Sequence, residues 1–273
     1  MTMAMKLVPV SVLGVPHDEN SSFLRGAAEA PPLIRREFVS DAYTSWSETG
    51  VDLSVAGRIV DRGDIQFDTA TDPWDVIERS VAGALDSGAP LICLGGDHAI
   101  THPILRAVRR RHSKLTIVHI DAHSDIYDAY QGNPRSHASP FARIMEERLA
   151  DRLIQVGIRT ITDHHRDQYR RFGVEVIEAA RCAVLPRLAL TTPVYLSVDL
   201  DGLDPAYAPG VSHREPGGLS TRQVIDLILA IDRPIVAADI VEYNPRCDIS
   251  NLTALVAAKL LKEIAGVMIK TAT

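Results

Sequence analysis

At 273 residues, with 46% apolar and 23% charged side chains, the chain has the composition of a soluble globular protein that can bury a large core. A formal net charge of -6 argues against general nucleic-acid binding, which depends on Lys and Arg neutralising phosphates. No apolar run approaches the roughly 20 residues that a bilayer span requires, so no membrane association is expected.

Residues 1–12 carry one Lys and a short apolar stretch that runs into Gly14-Val-Pro16, which reads as a strand rather than a signal peptide. Further apolar runs of strand length follow at 90–94, 115–120, 153–157, 193–198 and 234–238, after a first at 7–13. Shorter candidates lie at 57–60 and 174–177. Several runs are near-continuous Val, Ile, Leu and Ala, as expected for strands covered on both faces.

Helical signals fall between them. Asp72 before Pro73, an apolar stripe through Leu85 and then Gly88 give an N-cap, a first-turn proline and a C-terminal stop. Ser220 with Gln223 forms a capping box for a helix over 224–231. Further helices are expected at 102–111, 139–149 and 252–267. The alternation predicts an α/β fold, with a mainly parallel, doubly wound sheet of about eight strands between helical layers. No repeat or composition shift marks a linker, so residues 1–273 are read as one domain. Cys93, Cys182 and Cys247 are odd in number and widely spaced, which fits reduced thiols in a cytoplasm.

The polar residues gather where strands end. The run 90–94 leads into Gly95-Gly-Asp-His98, and 115–120 leads into Asp121-Ala-His-Ser-Asp125. The run 193–198 leads into Asp199-Leu-Asp201, and 234–238 into Asp239-Ile-Val-Glu242. In an extended segment Asp121, His123 and Asp125 point the same way. An isolated Asp-x-Asp is more often a turn or cap device; together, these motifs at neighbouring strand ends point to a site. His98, Asp121, His123, Asp125, Asp199 and Asp201 bring four carboxylates and two neutral imidazoles, a formal charge of -4 that two divalent ions cancel. Oxygen-rich ligation with one imidazole per ion suits Mn2+, with Ni2+, Co2+ and Zn2+ as competitors.

These motifs, with Ser197-Val-Asp-Leu-Asp-Gly-Leu-Asp-Pro205 and Glu242-Tyr-Asn-Pro245, resemble in order those of the ureohydrolase family of arginases and agmatinases. The plant-type arginase branch is the most similar, through Asn20-Ser-Ser-Phe-Leu24, Asp125-Ile-Tyr-Asp128, Ser136-His-Ala-Ser139 and Glu215-Pro-Gly-Gly-Leu219. The resemblance implies two Mn2+ per chain. His98, Asp121, Asp125 and Asp199 would hold one, and Asp121, His123, Asp199 and Asp201 the other, with Asp121 and Asp199 bridging. It further implies attack of a bridging hydroxide on a guanidino carbon, oriented by Asp125, with Glu242 pairing the guanidinium and His137 shuttling the proton to the leaving amine.

The substrate implied is a small guanidino compound, L-arginine or Nω-hydroxy-L-arginine, giving ornithine with urea or hydroxyurea. The short chain is compatible with a specialised biosynthetic member, including one making hydroxyurea for the antibiotic D-cycloserine. Agmatine or guanidinobutyrate is the alternative; a single-zinc deacetylase of the same fold and a non-catalytic binding protein are the remaining classes. The sequence departs from animal-type arginases where the amino-acid end of the substrate is recognised. Tyr127, Asp128, Asn133, Ser136 and His213 are the candidates for that task. The family resemblance also implies a homo-oligomer, a trimer or hexamer.

Overall fold

A computed structural model describes residues 9–42, 44–184 and 187–271. Its strands are β1 (Val10–Gly14), β2 (Ile59–Asp64), β3 (Leu91–Leu94), β4 (Thr116–Ile120), β5 (Arg152–Ile158), β6 (Glu175–Glu178), β7 (Val194–Asp199) and β8 (Ile235–Val241). The helices are α1 (Ala30–Phe38), α2 (Pro73–Leu85), α3 (Thr101–Arg109), α4 (Pro140–Glu146), α5 (Asp163–Phe172), α6 (Thr221–Leu229) and α7 (Leu252–Thr271). The first expected strand begins at Leu7, and residues 1–8 lie outside the described residues.

Strand pairing follows the order β2-β1-β3-β8-β7-β4-β5-β6, and every pairing is parallel. Alternate residues of each strand feed opposite layers. Val118, Ile120, Leu196 and Val198 pack with α1, α6 and α7, whereas Ile117, Tyr195, Cys93 and Ala237 pack with α2, α3 and α4. Apolar residues on both faces are what two helical coats require, and the six inner strands accordingly read as largely apolar runs, whereas the edge strands β2 and β6 are polar and partly exposed.

Two helices escape sequence patterning. Helix α5, Asp163-His-His-Arg-Asp-Gln-Tyr-Arg-Arg-Phe172, has almost no apolar stripe. It is set by its ends instead: Thr162 and His165 close a capping box, and Gly173 terminates it in the left-handed region at φ 68°. Helix α1 opens on Ala30-Pro-Pro, where prolines in the first turn lose no intrahelical bond. The expected helices are present at the expected places, with Asp72 accepting from the Trp74 amide and Ser220 from the Gln223 amide.

The four strands with polar ends, β3, β8, β7 and β4, are neighbours in the middle of the sheet. After β4 the chain builds outward to β5 and β6, then returns to β7 and proceeds the other way to β8. Connections therefore diverge at β4 and β7, and a crevice opens at their carboxyl ends. Ser220→Ala removes half of the α6 capping box and is expected to cost about 1 kcal/mol, read as a lower urea midpoint at unchanged slope.

Candidate metal centre

Among the described residues, the side chains at that crevice form three overlapping ligand groups that share Asp121. His98, Asp121, Asp125 and Asp199 make the first, Asp121, His123 and Asp201 the second, and His98, His119 and Asp121 a third. In the first, His98 Nδ1 lies 3.2 Å from Asp121 Oδ2, 3.0 Å from Asp125 Oδ2 and 3.1 Å from Asp199 Oδ2. In the second, His123 Nδ1 lies 3.0 Å from Asp201 Oδ2 and 3.6 Å from Asp121 Oδ1. The two loops meet backbone to backbone at Gly202, where a Cβ would come within 2.9 Å of the Asp121 Cα.

Hydrogen bonds behind the ligands fix how His98 presents itself. The Ser197 hydroxyl donates to Asp239 Oδ1 at 2.6 Å, so its oxygen accepts from His98 Nε2 at 2.9 Å. Thr101 and Tyr195 donate to the other Asp239 oxygen. The His98 proton is therefore on Nε2, and the lone pair of Nδ1 faces the three carboxylates. That Nδ1 has no hydrogen-bond donor to meet, so amid the three carboxylates it holds either a proton or a metal ion.

Electrostatics argue the same way. The cationic partners of the four carboxylates are histidines. Burial, reinforced by the charges of Asp201 and Asp121, drives the Asp199 carboxyl well up, and burial takes Asp201 to about 7. Burial alone would depress the His98 imidazole, but Asp121, Asp125 and Asp199 outweigh it and hold it well above its ordinary value. Such a cluster must take up protons or cations to exist; the donor set, carboxylates with one imidazole in each of the first two groups, fits two divalent ions.

Asp125 and Glu242 both have left-handed backbone, at φ 47° and φ 64°, an uncommon state for residues other than glycine. Glu242 Oε1 accepts from the His98 amide at 2.9 Å and from His137 Nδ1 at 2.8 Å. The Ser22 amide donates to His137 Nε2 at 3.2 Å, which requires that nitrogen to be unprotonated. Burial lowers the His137 imidazole and the Glu242 charge more than offsets it, pushing it up to about 9; the pair is thus poised to gain a proton if Ser22 yields.

A cavity of about 500 Å³ opens over these groups, lined by Asp125, His137, Asp199, Asp201 and Glu242. Of the residues expected at the amino-acid end, Tyr127 and His213 line it. Asp128, Asn133 and Ser136 are not part of the lining. The Asp128 carboxylate accepts from Arg171, Asn133 bonds Asn20, and the buried Ser136 hydroxyl accepts from the Ala138 amide.

Sequence reasoning missed Arg159, Thr160, Thr162, His165 and Glu215, which also line the cavity. Arg159 spends its guanidinium on carbonyls of Asp201, Gly202, Leu203 and Glu215, tying the Asp201 loop to the end of β5. Its position directly after a strand was the available signal. His102, at the start of α3, is buried between Trp74 and Glu147.

Ion binding to this cluster is expected to raise the thermal midpoint, and a chelator to lower it. Because ligation needs deprotonated carboxylates, apparent metal affinity is expected to fall as pH drops through 7, followed by calorimetric titration at several pH values. Asp199→Asn is expected to abolish the stabilisation by metal while the ion-free protein melts no earlier, since the amide replaces a carboxyl that burial and its neighbours already drive to the neutral form.

The Arginase family model matches residues 8–266. Arginase 1, mitochondrial, of Arabidopsis thaliana is 44% identical over 274 residues, covering 94% of this chain and 80% of that protein. The guanidinobutyrase of Pseudomonas aeruginosa is 35% identical, over 94% of this chain and 85% of its own. The solved structure of an arginase from Medicago truncatula superposes with a TM-score of 0.90 at 42% identity, covering 96% of this chain and 88% of that one. With its parallel eight-stranded sheet and the ligand groups at the central strand ends, the chain belongs to the arginase family, hydrolases of guanidino C–N bonds that use a binuclear metal site.

Proposed function

We propose that this hydrolase is a binuclear manganese amidinohydrolase that converts L-arginine or Nω-hydroxy-L-arginine to ornithine and urea or hydroxyurea. The observation that carries the reading is one cavity lined by His123, Asp125, Asp199 and Asp201 of the first two ligand groups together with the Glu242 and His137 pair, with His98 and the shared Asp121 buried among those ligands. In this reading Asp121 and Asp199 would serve both ions, and oxygen-rich ligation would favour Mn2+ over zinc. When bound, the two ions supply an acidified water as nucleophile at neutral pH.

The chain's own residues do the rest. Asp125 accepts a hydrogen bond from the nucleophile and aims it. Glu242 commits Oε1 to His98 and His137, which leaves Oε2 to receive a guanidinium N–H. When Nε2 releases Ser22 it can take up a proton from solvent, and His137, held charged by Glu242, then gives that proton to the departing amine.

At the outer end of the cavity Glu215 is a half-exposed carboxylate that can accept from an α-ammonium group. The Tyr127 hydroxyl, with His213, can donate to an α-carboxylate. Asp128, Asn133 and Ser136 shape the loop behind Tyr127. A lining with both acceptor and donors suits an amino acid better than agmatine, which lacks the carboxylate, or guanidinobutyrate, which lacks the amine. The similarity to a guanidinobutyrase supports that second reading.

We further propose a homo-oligomer, trimer or hexamer, in a reducing cytoplasm, where unpaired Cys93, Cys182 and Cys247 would persist. With hydroxyarginine as substrate, the product would serve antibiotic biosynthesis. No helix among the described residues is long and apolar enough to cross a membrane.

Product release is to be measured with Mn2+ over arginine, Nω-hydroxyarginine, agmatine and guanidinobutyrate. The two amino acids are expected to turn over fastest, and equal rates on all four compounds would contradict the assignment. Asp125→Asn is expected to lower kcat by about a hundredfold or more. Glu242→Gln, losing the charge that meets the guanidinium, is expected to raise KM as well as lower kcat.

A further inference from the structure

We propose that His119 is a positioning residue for the metal centre: held in one tautomer by Gln155, it donates to the shared carboxylate of Asp121 and fixes the orientation that both ions use. The inference deepens the two-ion reading above and rests on it. His119 looks from its place in β4 like an ordinary core histidine, since it is wholly buried within an apolar strand.

Its hydrogen bonds say otherwise. In the sheet it pairs across to Gln155 of β5 on one side and to Ser197 of β7 on the other. The Gln155 amide approaches the Ser124 carbonyl oxygen at 2.7 Å, and a carbonyl only accepts, so that end of the amide is the NH2 group. The same nitrogen lies 3.1 Å from His119 Nδ1, which must therefore accept. The ring proton is left on Nε2, 2.7 Å from Asp121 Oδ2.

Phe141 stacks on the imidazole, with centroids 4.0 Å apart and planes at 30°, and sets the plane of the ring. Asp121 Oδ2 is the oxygen that faces His98 Nδ1, while Oδ1 is held by the His123 amide at 2.6 Å. With His119 in place neither oxygen of the shared carboxylate is free to rotate. A packing role would not need two buried polar side chains, which cost desolvation unless their hydrogen bonds are used. Outer partners of this kind set ligand orientation and metal affinity.

The test is calorimetric titration of the metal-free full chain with Mn2+, using His119→Leu, His119→Gln and Gln155→Leu beside the wild type. His119→Leu is expected to weaken binding by about tenfold or more, within the range typical of outer-shell losses. His119→Gln, whose amide can still donate from a similar position, is expected to stay within about threefold, on the ground that the donor is what matters. Gln155→Leu leaves His119 in place but frees its tautomer, and should weaken binding even if the leucine at 119 does not fold. Wild-type affinity in both leucine variants, or equal losses in His119→Leu and His119→Gln, would overturn the proposal. Failure of the wild type to bind a second ion would instead overturn the two-ion reading, and the proposal with it.

Discussion

Four carboxylates crowded at the crevice between β4 and β7 are the constraint around which this molecule is built. Asp121, Asp125, Asp199 and Asp201 are all buried, and the groups that face them are histidines rather than Lys or Arg. Left to themselves they repel one another and bind protons. The fold holds them together because a parallel sheet delivers several strand ends to one place, with a rigid core on both faces. The stability sacrificed at the crevice is met by extensive apolar burial elsewhere.

The same constraint explains the backbone. Asp125 and Glu242 are forced into left-handed conformations that neither residue favours, and Gly202 has no Cβ because the Asp201 loop rests on the Asp121 backbone. Arg159 reinforces that contact from the end of β5, and the Asp239 network does so beneath His98. A site of this kind needs its supports to be as exact as its ligands, because a misplaced carboxylate both loses an ion and leaves an unpaired charge.

Much of this was legible in the sequence. Apolar runs ending in Asp and His announced the strands and their functional ends, and capping residues announced α2 and α6. Adjacency of β3, β8, β7 and β4 was implied by the shared chemistry of their ends; only the topology makes it a fact. Helix α5 was illegible because it is specified by caps and not by an apolar stripe. The outer wall of the cavity was illegible for a different reason. Thr160, Thr162 and His165 come from a segment after β5 with no recognisable pattern, and Glu215, although its motif is recognisable, carries no sign of facing the cavity. Asp128 shows the converse: a carboxylate three residues from Asp125 whose charge is taken by Arg171 at the surface.

The clustered carboxylates are proposed to hold two ions through a shared Asp121. The most direct measurement is anomalous diffraction at the manganese edge from crystals of the full chain grown with Mn2+. Two peaks are expected on either side of the Asp121 carboxylate, one beside His98 Nδ1 and one beside His123 Nδ1. A single peak, or density away from Asp121, would contradict it.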